Sequence, residues 1–343
     1  MSRPASQRTS TRQLASTLVH WFSQNARPLP WRQSRDAYRI WLSEVMLQQT
    51  TVTAVIPYYE KFLARFPTLG DLARAELADV LEMWAGLGYY SRARALHKSA
   101  QALHTRGGFP RTATELEELP GFGPYTSRAV SSLAFGENVG VVDGNVIRVL
   151  SRLHALDLEW WTPKARREYQ SLADELAQSA DPYQVNQALM ELGATICTPK
   201  SPTCLICPWQ SACAARAHSA RQATKSVTDF PRPRPKREHE IWIWRPRIIQ
   251  SGQAFALLPN THAPFLRGQL LPPGEAKRHK APPKDFAFRG QITHHKIFVI
   301  PTRERWPKRL RQLEGQPLTW VTRDELRRQI PSSLARRALE SAQ

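Results

Sequence analysis

Leu119-Pro120-Gly121-Phe122-Gly123-Pro124-Tyr125-Thr126 is the stretch that decides the fold of this chain. Its Gly-x-Gly turn lies between two segments with helical periodicity, and glycine lets the backbone adopt positive φ and approach a partner closely. The N–H groups at the start of the next helix would then point outward, where they can hold a phosphate. Most turns of this kind only cap helices. The motif alone therefore permits either a DNA-backbone clamp at Gly121 and Gly123 or a simple cap.

The residues on both sides of this turn have the apolar period of α-helices. One apolar face contains Leu14, Leu18 and Phe22, and others follow along the first two thirds of the chain. By residue number, helices are predicted over 36–49, 91–105, 125–135, 144–154, 164–179 and 183–195. This part of the chain is therefore predicted to be all-α.

The last third has a different pattern. Short apolar runs separated by Pro and Gly indicate strands over 241–244, 254–258 and 296–300, with an amphipathic segment around 322–340. The alternating prolines of Phe230-Pro-Arg-Pro-Arg-Pro-Lys236 favour an extended connector. We predict a helical domain over 1–215, a Pro/Arg-rich linker over 216–238 and a small α+β domain over 239–343.

The charge indicates a polyanionic partner. The chain of 343 residues has 48 Lys+Arg and 29 Asp+Glu, a formal net charge of +19. Residues 1–213 account for +3 of this and residues 214–343 for +16. Such an excess favours nucleic acid over a small substrate, although a merely soluble basic protein stays possible. No apolar run is long enough to span a bilayer, so we expect no membrane association and a cytoplasmic location, nucleoid-associated in a bacterium.

All four cysteines lie within 17 residues, in the pattern Cys197-x6-Cys204-x2-Cys207-x5-Cys213. Disulfides would instead join distant loops, and nothing in the sequence indicates an oxidising compartment. Four thiolates on short loops suit a tetrahedral metal or an iron–sulfur cubane. The spacing does not choose between zinc and iron–sulfur, since only Cys204 and Cys207 form the short knuckle usual in zinc sites.

Several motifs across about 20–213 resemble the endonuclease III superfamily of DNA glycosylases, and most closely its MutY-type adenine DNA glycosylases. Besides the Leu-Pro-Gly-x-Gly turn and the cysteine pattern, they are Pro28-Leu-Pro-Trp-Arg32, Trp41-Leu-Ser-Glu-Val-Met-Leu-Gln-Gln-Thr50, Gly86-Leu-Gly-Tyr-Tyr-Ser-Arg92, Val142-Asp-Gly-Asn145 and Met190-Glu-Leu-Gly193. The resemblance implies a helix-hairpin-helix fold and a monomeric enzyme of base excision repair. It would remove adenine opposite 8-oxoguanine or guanine in duplex DNA. It also implies a [4Fe–4S] cluster on the loop 197–213, with Lys200 facing phosphate.

Two carboxylates meet the needs of N-glycosidic cleavage, which requires an acid for the leaving base and an anion beneath a developing sugar cation. Glu44 lies on an apolar helix, where desolvation raises a carboxyl pKa from about 4.3 toward neutrality. Asp143 is predicted at a helix N-terminus, which favours its charged form. Without the family, a helix-face charge and an ordinary N-cap are the simpler interpretations of these two residues.

The resemblance assigns further roles. Asn145 would order the loop that holds Asp143. Tyr125 stands where bifunctional relatives have a lysine, and it has no amine to form a Schiff base. Gln49 and Tyr89 would wedge into the base stack. The adenine pocket would be lined by Arg27, Leu29, Trp31, Arg32, Val52 and Glu191, with Glu191 accepting from the N6 amine.

The tail domain resembles the Nudix-like domain of MutY proteins that recognises 8-oxoguanine. Leu270-Leu-Pro-Pro-Gly-Glu275 and Ile292-Thr-His-His295 carry this likeness, and Thr293 and His294 are the candidate contacts to the damaged base. No Glu-rich box for Mg²⁺ occurs between residues 264 and 300. Two other functions stay open: a bifunctional pyrimidine glycosylase/lyase, and a non-catalytic iron–sulfur DNA-binding protein.

Overall fold

The computed structural model describes residues 9–221, 226–235, 238–306, 309–313, 315–330 and 332–341. The chain forms two compact units. Unit 1 comprises the residues up to 74 together with 94–235, and unit 2 comprises 75–93 together with the residues from 236 onward. In the described part of the chain, no helix is both long enough and apolar enough to cross a membrane.

Helices dominate unit 1. In chain order, the α-helices of the described residues in both units are α1 (Thr11–Asn25), α2 (Ala37–Leu47), α3 (Val52–Arg65), α4 (Leu69–Arg74), α5 (Leu77–Met83), α6 (Ser91–Arg106), α7 (Ala113–Glu117), α8 (Pro124–Phe135), α9 (Gly144–His154), α10 (Pro163–Ala177), α11 (Pro182–Thr195), α12 (Ala214–Arg221), α13 (Leu326–Gln329) and α14 (Ser333–Glu340). Short 3₁₀ turns cover Pro30–Arg32, Cys204–Ile206 and Val227–Asp229.

Strands occur in unit 2. They are β1 (Glu240–Ser251), β2 (Ala254–Pro259), β3 (Leu270–Leu271), β4 (Gly274–His279), β5 (Phe288–Ile292), β6 (His295–Val299), β7 (Thr302–Arg305), β8 (Gln312–Leu313), β9 (Gln316–Pro317) and β10 (Thr319–Thr322). The main sheet follows the order β10-β2-β1-β6-β5, with β3 on β2 and both β4 and β7 on β1. The strand β1 is parallel to β6 and β7 and antiparallel to β2 and β4.

The predicted helices match α2, α6 and α8–α11 within about two residues at each end. The three predicted strands lie in or at β1, β2 and β6, but β1 extends seven residues beyond its predicted end. Pro246 lies within this extension, although proline is disfavoured inside a strand because it has no backbone N–H to donate. Pro246 is the last β1 residue paired with β4, and the pairing with β7 begins at Arg247. The proline thus occupies the point where β1 changes partners.

Three features differ from the predicted organisation. Within the predicted linker, residues up to 221 continue helix α12, and the segment up to 235 groups with unit 1. There, the Nε of Arg152 donates to the carbonyl of Phe230 at 2.9 Å. The segment 75–93 groups with unit 2, where α5 contacts α13. The predicted terminal helix is divided at Ile330, which precedes a proline and leaves the helical region with φ −122°.

The turn between α7 and α8 has the geometry that its glycines predict. Gly121 has φ +79°, and a Cβ there would lie 2.8 Å from the Cβ of Ala95 on α6. Gly123 is the N-cap of α8, and Pro124 occupies the first helical turn, where its missing N–H costs nothing. Between the two glycines, the ring of Phe122 stacks on Trp41 of α2 at 5.4 Å between centroids. The turn is therefore fixed against both α2 and α6.

An apolar cluster of unit 1 joins α1, α9, α10 and α11, and Trp209 of the cysteine loop belongs to it. The Nε1 of Trp209 donates to the carbonyl of Leu14 at 3.0 Å. In unit 2, Leu334, Ala335, Ala338 and Leu339 of α14 enter the core formed by the sheet. Each unit therefore has its own apolar core.

Close backbone packing at Gly140 provides a test of this fold. A Cβ at Gly140 would lie 2.4 Å from the carbonyl carbon of Ala173 in α10. We expect Gly140→Ala to destabilise the protein by about 1–3 kcal/mol, because the backbone must shift to admit a methyl group. Urea unfolding measures this loss. Gly144→Ala is the matched control, since a Cβ there meets nothing within 4 Å; equal stability of the two variants would contradict the packing.

Candidate active site and cysteine loop

A cavity of about 1160 Å³ opens in unit 1 and collects most of the predicted site residues. Its volume is slightly above the range of about 300–1,000 Å³ that is usual for small-ligand pockets. The predicted residues that line it are Arg27, Leu29, Trp31, Arg32, Glu44, Gln49, Val52, Gly121, Gly123, Tyr125, Asp143, Asn145 and Glu191. Residues about 160 positions apart in sequence therefore share one wall.

Glu44 is an acid held away from water. It lies on α2, whose residues from Ile40 to Met46 are all buried, and only 5% of its surface is exposed. The hydroxyl of Tyr125 donates to Oε2 of Glu44 at 2.7 Å. Burial raises the pKa of Glu44 to about 7; the Tyr125 hydrogen bond opposes this shift and the charge of Asp143 adds to it. A group with this pKa can hold and release a proton near neutral pH.

Asp143 has surroundings suited to a carboxylate anion. It is the N-cap of α9, so its Oδ1 accepts from the backbone N–H of Val146 at 2.7 Å. Its Oδ2 accepts from the Nδ2 of Asn145 at 2.8 Å. The positive end of the α9 dipole also favours a negative charge at this position. The cavity thus has a carboxyl that favours its protonated form on α2 and a hydrogen-bonded carboxylate at the start of α9.

Arg148 is a site residue that the sequence analysis missed. Its Nη2 donates to Oδ1 of Asn145 and to the carbonyl of Gly193, both at 2.8 Å, and its Nε donates to the carbonyl of Cys197 at 2.7 Å. These bonds orient Asn145, which in turn orients Asp143. The available signal was a cation one helical turn after Gly144, but its partners come from distant residues and cannot be read from the pattern.

Glu191 is occupied by two arginines. Its Oε1 accepts from the Nε of Arg27 at 2.6 Å, and its Oε2 accepts from Arg27 and Arg32 at 2.9 and 2.8 Å. Burial opposes ionisation of Glu191, but these hydrogen bonds outweigh it and lower its pKa. The carboxylate therefore anchors two cations at the cavity wall. The predicted hydrogen bond from the N6 amine of adenine to Glu191 would have to use the same carboxylate oxygens.

The two predicted wedge residues each occupy a turn with left-handed backbone. Gln49 follows the end of α2, lines the cavity mouth and has φ 58°. Tyr89 belongs to unit 2, has φ 48° and is 46% exposed. Such φ values are uncommon outside glycine and often accompany functional constraints.

The four cysteines line one small cavity together with Arg152. The Nη1 of Arg152 lies 3.4 Å from the Sγ of Cys197 and donates to the carbonyl of Thr198 at 2.7 Å. Burial raises the pKa of Cys207 to about 12, so a bound metal would have to displace the thiol proton. Lys200 is exposed on the loop between the first two cysteines.

Thr293 and His294 lie in the turn between β5 and β6 of unit 2. Thr293 is exposed with φ 53°, and His294 is partly buried. In the other segment of the Nudix-like resemblance, Gly274 has φ +140°, and a Cβ there would lie 2.2 Å from the carbonyl oxygen of Arg245. Only glycine fits this close approach of β4 to β1.

Known proteins resemble the chain in both sequence and structure. Residues 42–175 match the HhH-GPD superfamily of base excision DNA repair proteins. A thermostable thymine-DNA glycosylase superposes with a TM-score of 0.55 at 29% identity, over 60% of this chain and 97% of that one. An endonuclease III–DNA complex, with a TM-score of 0.52 at 22% identity, covers 62% of this chain and 100% of that one, and shows the shared fold.

These matches place the chain in the helix-hairpin-helix class of base excision repair proteins. The chain is 36% identical to the adenine DNA glycosylase of Buchnera aphidicola subsp. Schizaphis graminum, over 83% of this chain and 85% of that protein. It is 47% identical to human adenine DNA glycosylase over 58% of this chain, but spans only 39% of the human protein's length. The chain belongs to the adenine DNA glycosylase family.

The burial of Glu44 leads to a prediction about folding stability that does not depend on any catalytic activity. In the unfolded chain Glu44 returns to its ordinary pKa of 4.5, while the folded value is about 7. The folded protein then binds the proton more tightly, so stability is lost as pH rises from about 4.5 to about 7. Replacing Glu44 by Gln removes this loss.

We expect the stability of Glu44→Gln relative to wild type to increase across that window and to level off above it, by about 3 kcal/mol at most. Urea unfolding of both proteins between pH 4 and 8 measures the difference. Glu117→Gln, which removes an exposed carboxyl from the same cavity wall, is the matched control. A difference that does not vary with pH would mean that Glu44 titrates as if it were in water.

Proposed function

We propose that the chain is a monofunctional adenine DNA glycosylase that removes adenine mispaired with 8-oxoguanine or guanine in duplex DNA. The observation that carries this proposal is the pair of carboxyl groups on one cavity. Glu44 is buried with a pKa raised to about 7, and Asp143 is hydrogen-bonded at the start of α9. An acid and an anion facing one cavity are what cleavage of an N-glycosidic bond requires.

The reaction follows from these two environments. Protonated Glu44 donates its proton to N7 of adenine, while the bond between N9 and the sugar C1′ breaks and its electron pair goes to the departing base. The carboxylate of Asp143 stabilises the positive charge that develops on the sugar. Water then adds to C1′ and gives a proton to the carboxylate of Glu44, which restores the acid and leaves an abasic site. Tyr125 positions the acid through its hydrogen bond to Glu44.

The chemistry of the cavity argues against strand cleavage. A lyase of this superfamily needs an amine that forms a Schiff base with the opened sugar. The described residues that line the cavity include no lysine, and Tyr125 offers only a phenol. Burial and the negative charge of Glu44 also raise the pKa of Tyr125 well above its ordinary value, so it stays protonated.

A purely DNA-binding role is less consistent with the site. Burial of a carboxyl with a raised pKa lowers the stability of the fold at neutral pH, and DNA binding alone does not need a buried acid. Catalysis does, because a general acid works best with a pKa near the working pH.

Duplex DNA is the proposed partner. Adenine must leave the base stack to reach a cavity of this kind, at a cost of a few kcal/mol that is lower for a mispair. Gln49 and Tyr89 are the proposed wedges. The backbone at Gly121 and Gly123 and the exposed ammonium of Lys200 are proposed contacts to phosphate. The net charge of +19 supports this partner.

The four cysteines are proposed to hold a [4Fe–4S] cluster. All four cysteines line one small cavity together with Arg152, and four cysteine thiolates are the usual ligand set of such a cluster. When bound, the cluster would stabilise the loop that carries Lys200 and contacts Arg148 and Arg152.

Unit 2 is proposed to recognise 8-oxoguanine through Thr293 and His294. The support is their position at one turn, its strained backbone, and the family to which the chain belongs. Between residues 264 and 300 the acidic residues are Glu275 and Asp285, so the chain lacks a Glu-rich Mg²⁺ box. A reading domain without its own hydrolase activity is the function that this composition supports.

The acid is tested with labelled duplexes containing adenine opposite 8-oxoguanine, guanine or thymine. Under single-turnover conditions, wild type should release adenine from the two mispairs, and strand breaks should appear only after hot alkali. Glu44→Gln should release adenine at least about 100-fold more slowly, since it cannot donate the proton, while still binding the duplex. Glu60→Gln, which changes an exposed carboxyl of α3 that does not line the cavity, serves as the control. Rapid release by Glu44→Gln would refute the acid assignment, and strand breaks without alkali would refute monofunctionality.

The reading turn is tested by the double variant Thr293→Ala/His294→Ala. Loss of its hydrogen bonds should reduce the preference for 8-oxoguanine over guanine about tenfold, at about 1.4 kcal/mol per factor of ten. The ratio of single-turnover rates on the two duplexes measures this preference. Thr302→Ala changes an exposed threonine on β7 and is the control. An unchanged ratio in the double variant would mean that this turn does not read the opposite base.

A further inference from the structure

Three potential metal ligands converge in unit 2, away from the cysteine loop in sequence. They are Glu240 at the start of β1, His294 in the β5–β6 turn and His295 at the start of β6. One ligand atom from each lies within 4.8 Å of the other two. The Oε2 of Glu240 is 3.0 Å from Nδ1 of His295 and 3.8 Å from Nε2 of His294.

The backbone of the sheet brings these side chains together. Glu240 and His295 are direct partners in the parallel pairing of β1 with β6, and the N–H of Glu240 donates to the carbonyl of His294 at 3.0 Å. Consecutive side chains of a regular strand would point to opposite faces. Here the turn at Thr293, with φ 53°, brings the two imidazole rings to 4.1 Å between centroids.

One ring nitrogen of each histidine faces the carboxylate of Glu240. The Nδ1 of His295 is buried, and the Oε2 of Glu240 lies 3.0 Å from it. The Nδ1 of His294 lies 3.4 Å from the hydroxyl of Thr293, and this leaves Nε2 directed at Glu240.

We propose that Glu240, His294 and His295 form a binding site for a borderline divalent cation, with Zn²⁺ as the best match. Two imidazoles and one carboxylate are ligands that zinc prefers, and three protein ligands leave a fourth position for water. Around them, Trp242 donates to Oε2 of Glu240 at 3.0 Å. Hydrogen bonds from such outer groups orient metal ligands.

One nearby charge opposes a cation. The Nη1 of Arg278 lies 3.3 Å from Oε1 of Glu240. Its side chain is 66% exposed, so it can turn into solvent when a cation binds. A cation bound here would link the β5–β6 turn to Glu240, the first residue of β1.

The site is independent of the proposed glycosylase activity, but it contains His294. A metal on Nε2 of His294 would remove that nitrogen from contact with a base. Thr293, which is not a ligand, would keep its exposed position in the turn. Metal binding would therefore leave Thr293, but not Nε2 of His294, available to contact a base.

The test uses the full-length protein with its iron content intact. After equilibration with ZnCl₂ and dialysis, mass spectrometry of the metals should find about one zinc per chain in wild type, without loss of iron. Glu240→Gln and His295→Asn should each lower bound zinc at least tenfold. His279→Asn, which changes an exposed histidine of the neighbouring strand β4, should retain it.

The zinc K-edge absorption spectrum of wild type gives a result that does not depend on the folding of any variant. Nitrogen and oxygen ligands, including imidazole, are expected. Zinc–sulfur distances near 2.3 Å would place the metal on the cysteines and overturn the proposal. The proposal also fails if wild type holds no zinc, or if both ligand variants hold as much as wild type. None of these outcomes depends on base release.

Discussion

The burial of one carboxyl group, that of Glu44, is the constraint on which the described site depends. Helix α2 exposes almost none of its residues from Ile40 to Met46, so Glu44 can meet only the cavity. Its carboxyl group accepts a hydrogen bond from the phenol of Tyr125 at 2.7 Å. Burial outweighs that donor and sets a pKa near 7. A more open α2 would leave an ordinary surface carboxylate with an ordinary pKa.

The helix-hairpin-helix turn sets the position of that phenol. Gly121 packs against α6 where no Cβ fits, and Phe122 stacks on Trp41 of α2. Helix α8 therefore begins at a fixed place beside α2, and Tyr125 in its first turn reaches Glu44. The motif usually considered for its contact with phosphate thus also has an internal role, since it aligns the donor with the buried acid.

Helix α9 links the carboxylate to the cysteine loop. Asp143 caps its first turn, Arg148 bonds Asn145 and the carbonyl of Cys197, and Arg152 bonds the carbonyls of Thr198 and Phe230. The two arginines are one helical turn apart, so they lie on the same side of α9. Displacement of the loop would therefore reach Asn145 and Asp143 through a chain of part-buried hydrogen bonds.

The sequence alone determined what local patterns encode. The period of apolar residues predicted α6 and α8–α11 to within about two residues, and the glycine turn and the cysteine spacing identified the two special loops. The motifs also contain most of the residues that line the cavity. They could be found from the sequence because the local backbone conformation of each motif depends mainly on its own residues. The tertiary structure decided what depends on distant partners: the occupation of Glu191 by Arg27 and Arg32, the bonds of Arg148, the grouping of 75–93 with unit 2, and the convergence of Glu240 with His294 and His295. Distances between residues remote in the chain, and the desolvation that sets a pKa, arise only when the helices and strands pack.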